Sequence, residues 1–367
     1  MKFVTMFPSA ENIHLIKDVG MIPYIMHKKF GYKSELACYK NGEYPFINVE
    51  VKGLELKFIK KYTGKAVIDG ALYLLKSSKK IDVLHLFHFG KRDIIWIWIY
   101  TLLNREGKIY LKLDADNTIK KTVNPCDNSL KAKIKKYTLK RCKLITVETL
   151  NIYNFLIDNW KIAIEYLPNG FYDYGKKEPI NYENKINTIL TVGRIGTFQK
   201  ATEVLLEGFK CAANKIENWK LKVVGPIEKD FEVYIKDFMK SNPELRERIE
   251  FTGAIYDRVK LEEEYKKAKI FCLTSRYEGF PLVFLEAIKH GCYIISTNFN
   301  AAYDITNNEK YGMIFDIDNS KQLSDSLVKA CNNEMTIKQN FHETNKFCYE
   351  NFYWPVLCKQ ICDFLDE

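Results

Sequence analysis

Two glutamates lie eight positions apart, Glu278 in a predicted turn and Glu286 inside the predicted helix that follows it. An apolar run over 270–274 predicts a buried strand before the turn, and a helical pattern begins after it at Leu282. The first N–H groups of a helix are unpaired and its start carries partial positive charge, so the turn predicts an anion site. A phosphate with a hydroxyl-bearing group on each side, as in a nucleotide sugar, fits this layout.

Two basic residues follow the first predicted strand of the second half. This strand, over 188–192, is followed by Gly193 and Arg194, and Lys200 comes just before a predicted helix over 201–213. Ligands of parallel sheets bind at the carboxyl ends of the strands. Fixed cations there would neutralise a diphosphate, and arginine does so in a bidentate fork.

These two segments resemble the signatures of one family. EGFPLVFLEA, residues 278–287, resembles the E-x(7)-E motif of glycosyltransferase family 4, the glycosyl transferases group 1, which are retaining enzymes of the GT-B fold. GRIGTFQKATEVLLEGF, residues 193–209, resembles the family's Gly-Arg and lysine pattern, with one extra loop residue and Ala201 where glycine is common. The resemblance is specific across 188–320 and loose across 1–170.

The resemblance implies a role for each matched residue. Glu278, Arg194 and Lys200 would be catalytic, with Glu278 either acting chemically or only positioning the sugar, and Glu286 would accept hydrogen bonds from the ribose. The same residues would bind the donor together with Gly20, Gly193, Tyr256, Gly279, Phe280, Pro281 and Leu282. No metal and no cofactor is expected, and the nucleotide sugar, UDP- or GDP-linked, would be a substrate.

Strand and helix patterns alternate along the whole chain, which predicts an α/β fold with parallel, doubly wound sheets. A length of 367 residues suits two domains. The resemblance implies the GT-B arrangement of two Rossmann-like domains facing a cleft, and the polar segment over 173–187 is predicted to be the linker between them. The expected divisions are an acceptor-binding domain over 1–170, a nucleotide-sugar-binding domain over 171–345, and a C-terminal helix over 346–367 that returns to the first domain.

Two polar residues lie at predicted strand ends in the first half. His88 belongs to the apolar strand over 83–89, and Asp114 follows the strand over 109–113. Either residue could contact the sugar or the acceptor, although a histidine in an apolar strand is more often part of the core. His85 is the weaker candidate of the two histidines. Gly20 lies in a predicted loop after the first strand. This loop resembles the family's glycine loop, which faces the diphosphate of the donor.

The first half of the chain is strongly basic. Residues 1–170 hold 29 Lys/Arg against 16 Asp/Glu, whereas the whole chain has a net charge of +10. Residues 131–143 alone carry seven basic side chains, and helical spacing predicts an inward stripe of Leu130, Ile134 and Tyr137 beside outward lysines. Such asymmetry indicates an anionic partner surface, such as a membrane, a lipid phosphate or a nucleic acid.

The segment 93–103 is apolar on every side and has two open interpretations. It is either a helix buried against a sheet or a membrane-seated element with Trp96, Trp98 and Tyr100 as interface anchors. No run reaches the roughly 18 apolar residues needed to cross a bilayer. Without a signal peptide's apolar region, we expect a cytoplasmic protein, with peripheral contact at the inner membrane face left open. The ten scattered cysteines predict reduced thiols.

The resemblance therefore implies a retaining, metal-independent glycosyltransferase that moves a sugar from a nucleotide sugar to a saccharide or polyprenyl-diphosphate-linked acceptor in cell-envelope or capsular polysaccharide biosynthesis. A nucleotide-sugar epimerase of the same fold is one alternative, and it would need further acid/base residues around the sugar. A basic protein that binds nucleic acid or an anionic surface is the other. It leaves Arg194, Lys200 and Glu286 unexplained, and nucleic acid is not an expected partner.

Overall fold

The computed structural model describes residues 1–175, 177 and 179–367, so Lys176 and Glu178 of the predicted linker lie outside the described residues. The chain forms two compact units. Unit 1 comprises Met1–Tyr172 and Tyr353–Glu367, and unit 2 comprises Asp173–Phe352.

The boundary before the C-terminal helix falls at Tyr353, whereas the prediction placed it at residue 346. The helix over Glu334–Asn351 continues within unit 2, and only the next helix, which begins at Trp354, belongs to unit 1. The apolar pattern is continuous across this junction, so the periodicity alone concealed the break at Phe352 and Tyr353. Backbone contact fixes the change of unit, because the Trp354 N–H donates to the carbonyl of Phe171 at 2.9 Å.

Unit 1 is built on a seven-stranded parallel sheet. Its strands are β1 Lys2–Met6, β2 Lys33–Cys38, β3 Glu55–Phe58, β4 Val83–Phe87, β5 Lys108–Lys112, β6 Leu144–Val147 and β7 Glu165–Tyr166. Its helices are α1 Asp18–Phe30, α2 Phe46–Val49, α3 Ala66–Ser77, α4 Lys91–Leu103, α5 Leu130–Leu139, α6 Leu150–Trp160 and α14 Trp354–Asp366. The strand order is β3-β2-β1-β4-β5-β6-β7.

Unit 2 is built on a six-stranded parallel sheet. Its strands are β8 Ile186–Val192, β9 Lys220–Val224, β10 Ile249–Gly253, β11 Ala268–Leu273, β12 Tyr293–Thr297 and β13 Gly312–Phe315. Its helices are α7 Thr202–Ala212, α8 Lys229–Ser241, α9 Arg258–Lys267, α10 Leu282–Lys289, α11 Asn300–Ile305, α12 Ser320–Asn332 and α13 Glu334–Asn351. The strand order is β10-β9-β8-β11-β12-β13.

Both sheets have the doubly wound order in which the first strand lies beside the second and the fourth. In unit 1 the reversal falls between β1 and β4, and in unit 2 between β8 and β11. Central strands such as β4 and β11 are buried along their whole length, which explains why their sequences are mostly apolar, with one polar residue in each, His85 and Lys269. A crevice opens at the carboxyl ends of the strands where the order reverses, so each sheet offers one ligand position of this kind.

Gly20 does not lie in a loop as predicted. It belongs to the first turn of α1, and it is buried against the short 3-10 helix over Asn12–Ile16. A Cβ on Gly20 would come within 2.3 Å of the carbonyl oxygen of Leu15. The close packing of α1 against the backbone of Leu15 therefore explains why residue 20 is a glycine. A contact between Gly20 and a donor stays a prediction.

We expect Gly20→Ala to destabilise the protein by about 1–3 kcal/mol, the range for overpacking a tight site. In an open helix the same change would stabilise by about 1 kcal/mol, so the sign of the effect reports the packing. Urea unfolding of both proteins measures it. If stability is unchanged and only the binding of a nucleotide sugar is lost, Gly20 faces the ligand and not Leu15.

The aromatic residues of α4 are mostly buried, which rejects their role as membrane anchors. Trp96 and Tyr100 are fully buried, and they donate hydrogen bonds to the carbonyls of Val67 at 3.0 Å and Ile81 at 2.8 Å. Trp98 is half-buried. The segment over 93–103 is thus a helix of the unit 1 core.

The orientation of α5 is the reverse of the predicted one. Leu130 and Tyr137 are 74% and 62% exposed, and Ile134 is also exposed. The inward face is formed by Ala132, Lys135, Thr138 and Leu139. The apolar stripe therefore faces solvent together with most of the lysines. Within the described residues, no helix has the length and apolarity required to cross a membrane.

Candidate active site

The predicted cation and carboxylate of unit 2 meet where its strand order reverses. The loop after β8 carries Lys200 and the loop after β11 carries Glu278, and these two strands are paired in parallel. The Lys200 Nζ lies 2.5 Å from Glu278 Oε1, and the same oxygen accepts a hydrogen bond from Ser275 Oγ at 2.8 Å. Both members of the ion pair are largely shielded from solvent, with exposed side-chain fractions of 15% and 11%.

Gln199 joins the two loops and positions Arg194. Its Oε1 accepts a hydrogen bond from the Arg194 guanidinium at 2.8 Å, and its Nε2 donates to the carbonyl of Tyr277 at 3.0 Å. The carbonyl of Gln199 accepts from the N–H of Arg276 at 2.8 Å. Sequence reasoning missed both Gln199 and Ser275, because an amide and a hydroxyl in a loop carry no distinctive spacing. Their only signal was adjacency to Lys200 and the acidic motif.

Gly193 leaves room for the lysine. A Cβ at this position would lie 3.3 Å from Lys200 Cε, which is tighter than an ordinary contact. The exposed Arg194 follows directly and donates to the uncharged side chain of Gln199, whereas Lys200 in the same loop is paired with the carboxylate of Glu278. Because Lys200 is paired with Glu278, a ligand that carries a phosphate would compete with Glu278 for Lys200.

Glu286 lies in a different side-chain environment from Glu278. Its Oε2 accepts a hydrogen bond from the Tyr265 hydroxyl at 2.8 Å, and burial raises the pKa of the Glu286 carboxyl. It lines a cavity of about 90 Å³ together with Arg258, Leu261, Glu262, Tyr265, Lys289 and His290. Tyr265 was not predicted from the sequence, since it belongs to a helix without a motif.

The other predicted donor-binding residues surround the start of α10. Pro281 is the N-cap residue and Leu282 the first helical residue, so the proline precedes the first turn by one position. Phe280 is buried and its ring centroid lies 5.8 Å from that of Phe352, while Gly279 is exposed. Tyr256 is 91% exposed in the loop between β10 and α9, where its ring is available to a ligand.

His88 and Asp114 come together at the carboxyl ends of β4 and β5 in unit 1. The His88 Nδ1 lies 3.6 Å from Asp114 Oδ2, and both side chains are about half exposed. Both residues have positive φ, 65° and 46°. Such conformations cost about 1–3 kcal/mol each outside glycine and accumulate at functional sites. His85, by contrast, is fully buried and stacks on Tyr110 at 4.3 Å, so it belongs to the core.

A buried charge network, which the sequence did not reveal, lies beneath Asp114. Lys112 is fully buried, and its Nζ lies 2.8 Å from Glu148 and 3.1 Å from Asp18. Burial raises the pKa of the Glu148 carboxyl, which shares a hydrogen bond with Asp114. Burial alone would raise the pKa of Asp114 as well, but the hydrogen bond from Glu148 and the charge of Lys112 lower it instead.

Comparison with known proteins gives a family match within the second half of the chain. Residues 176–347 match the model of the glycosyl transferases group 1. An uncharacterized glycosyltransferase of Haemophilus influenzae is 25% identical over 270 residues, which are 73% of this chain and 66% of that protein.

A second relative is the GalNAc-alpha-(1->4)-GalNAc-alpha-(1->3)-diNAcBac-PP-undecaprenol alpha-1,4-N-acetyl-D-galactosaminyltransferase of Campylobacter jejuni. It is 26% identical over 167 residues, which are 45% of this chain and 44% of that protein. The chain thus spans less than two thirds of the length of the curated relatives it matches.

The whole chain has the fold of solved glycosyltransferases. It is similar to the crystal structure of Anabaena Alr3699/HepE in complex with UDP, with a TM-score of 0.75, 12% identity and full coverage of both chains. Other glycosyltransferase structures also cover the full chain. The protein therefore has the GT-B fold, and its residues 176–347 match the glycosyl transferases group 1.

Proposed function

We propose that the protein is a retaining glycosyltransferase. It transfers a sugar from a nucleotide sugar to a saccharide or lipid-linked saccharide in cell-envelope or capsular polysaccharide biosynthesis. The observation that carries this proposal is the grouping of Arg194, Lys200 and Glu278 at the strand-order reversal of unit 2. Such a position binds nucleotides in doubly wound sheets.

The proposed chemistry uses positive groups aimed at the leaving diphosphate. Negative charge develops on the departing phosphate oxygen as its bond to the sugar breaks, and preorganised cations and N–H groups lower that barrier. Arg194, Lys200 and the first amides of α10 would supply them without a metal ion. Glu278 would contact the transferred sugar, and Glu286 would accept hydrogen bonds from the ribose hydroxyls in place of Tyr265.

The named relatives favour particular substrates. The Anabaena structure contains UDP, which favours a UDP-sugar donor. The name of the Campylobacter enzyme describes an acceptor on undecaprenyl diphosphate, which favours a lipid-linked saccharide. His88 and Asp114 would contact this acceptor or the sugar from unit 1.

Helix α5 supports peripheral contact with an anionic membrane as part of the proposed function. Its exposed face combines Leu130, Ile134 and Tyr137 with Lys131 and Lys133, and the exposed Lys140, Arg141 and Lys143 follow the helix end. Apolar side chains beside lysines are the pattern of helices that lie in a membrane interface. Each basic residue near an anionic leaflet contributes on the order of 1 kcal/mol.

The proposal is tested by binding and slow turnover of UDP-, GDP- and ADP-sugars in the presence of EDTA. We expect one nucleotide class to bind, and Arg194→Ala and Glu286→Ala to weaken that binding by about 10–100-fold, since hydrogen bonds in which one group is charged contribute about 1.5–3 kcal/mol. Arg246→Ala, an exposed arginine of the same unit, is the control and should bind as wild type does. Formation of a free nucleoside diphosphate separates transfer chemistry from epimerisation.

The proposal fails if no donor binds, or if the two site variants bind as tightly as wild type. It also fails in its metal-independent form if turnover stops in EDTA and returns with added divalent cation.

A further inference from the structure

Unit 1 contains a large cavity beside His88 and Asp114. Its volume is about 610 Å³, within the range of small-molecule sites. Apolar side chains form much of its lining, contributed mainly by α4, α5 and the loop after β5: Phe89, Ile94, Leu113, Ile119, Val123, Ile134 and Trp160. Three lysines also line it, Lys91, Lys131 and Lys135.

Lys135 is the unusual member of this lining. It is only 8% exposed, and its Nζ donates hydrogen bonds to the Thr122 hydroxyl at 3.1 Å and the Val123 carbonyl at 2.8 Å. It also lies 3.6 Å from the centre of the Trp160 ring. Among the residues that the structure describes, no carboxylate forms an ion pair with it. Burial lowers its pKa to about 8.

A buried ammonium group without a counter-charge is costly, and buried lysines are nearly always paired. Neutral oxygens and an aromatic face compensate Lys135 only in part. Lys112, the last residue of β5, is also buried, but its ammonium group is paired with two carboxylates, those of Glu148 and Asp18. Lys135 lines a cavity where that solution is missing, so the missing anion is one that a ligand would bring.

The other groups of the lining restrict the ligand further. Lys91 and Lys131 are exposed and add positive charge around the same space. Asp114 and Asp116 belong to the loop after β5, and Asp116 already caps a short helix by accepting from the Thr118 N–H at 2.8 Å. A ligand therefore needs an anionic group for Lys135 next to an apolar portion for the remaining lining.

We propose that this cavity binds an amphiphilic anion, a phosphate joined to a hydrocarbon chain, with Lys135 as the partner of the phosphate. The assignment rests on the proposed function in one respect only, that the bound molecule would be the lipid-phosphate part of the acceptor. Binding itself needs neither a donor nor transfer. Because His88 and Asp114 also line the cavity, a saccharide joined to that phosphate would bring its hydroxyl groups within reach of these two side chains.

Titration of the protein with farnesyl phosphate in a calorimeter, without any nucleotide sugar, tests this proposal. Three control ligands are titrated in the same way. Farnesol has only the apolar part of farnesyl phosphate, inorganic phosphate has only its anionic part, and glucuronic acid carries its negative charge on a sugar. We expect farnesyl phosphate to bind most tightly. We expect Lys135→Met to weaken it by about 10–100-fold, the range for a lost hydrogen bond between charged groups, with farnesol unaffected.

Lys133→Met is the matched control, because Lys133 lies on the same helix but is exposed. It should change farnesyl phosphate binding by less than about twofold. The thermal midpoint of unliganded Lys135→Met should equal or exceed that of wild type, since the variant removes an unpaired buried charge. If that variant does not fold, Lys135→Gln replaces it in the same titration.

The proposal is overturned if farnesyl phosphate does not bind, if Lys135→Met binds it as tightly as wild type, or if glucuronic acid binds more tightly. Equal losses in the Lys133 and Lys135 variants also overturn it, because they would indicate a general effect of positive charge. Donor binding by unit 2, measured on the same preparations, shows separately whether the proposed transferase function stands.

Discussion

Replacing Lys112 with methionine is expected to lower the free energy of unfolding by about 3–5 kcal/mol, the usual result of removing one partner of a buried ion pair. The lysine is fully buried in β5 and pairs with both Glu148 and Asp18. Without it, these carboxylates stay in a site of low polarity with no positive neighbour. They must then either take up protons or draw water into the core.

Lys108→Met is the matched control for this experiment. Lys108 lies on the same strand, but it is a third exposed and pairs with Asp366, which is mostly in solvent. Exposed ion pairs contribute about 0–1 kcal/mol, so the control should lose little stability. Urea unfolding of the three proteins at neutral pH, followed by circular dichroism, compares them. Equal losses in the two variants would show that the network at Lys112 adds nothing specific.

The second large effect is expected for Gly225→Ala. Gly225 follows β9 with a φ of 145°, and a Cβ there would lie 1.7 Å from the carbonyl oxygen of Gly193. Backbone strain of about 1–3 kcal/mol adds to an overpacking penalty of similar size. We therefore expect a loss of about 3–5 kcal/mol and a displaced end of β8. Because Arg194 follows Gly193 directly, donor binding should weaken as well.

Gly253→Ala separates strain from the clash. Gly253 ends the neighbouring strand β10 with a φ of 71°, but a Cβ there meets no atom within 4 Å. This variant should lose only about 1–2 kcal/mol and keep its affinity for the donor. Thermal unfolding and the donor titration are run on both variants. If Gly225→Ala unfolds and binds as Gly253→Ala does, the close approach of the strands does not position Arg194.

Much of the sheet architecture could be predicted from local sequence. The run over 270–274 and the strand–glycine–arginine segment after residue 188 are short apolar stretches bounded by turn residues, and the structure has strands at both places. A central strand of a parallel sheet is buried on both faces, so its whole sequence is apolar and easily recognised. The helix start at Leu282 was likewise marked by its proline.

The sites were only partly predictable. Lys200 and Glu278 were recognised by their motifs, and the structure brings them into contact. Gln199, Ser275 and Tyr265 were missed because their roles come from hydrogen bonds across the fold, not from spacing along the chain. The pairing of His88 with Asp114 needed the parallel register of β4 and β5, which the sequence does not state.

The sequence by itself determined the class of fold, the order of strands and helices, and the residues of the acidic and basic motifs, because each of these depends on neighbours along the chain. Only the tertiary structure decided which face of α5 is buried and why residue 20 is glycine. It also decided that Glu148 and Asp18 pair with the buried Lys112, whereas no carboxylate among the described residues pairs with the buried Lys135. Burial and charge pairing depend on what packs against a residue, and residues distant in sequence supply those contacts.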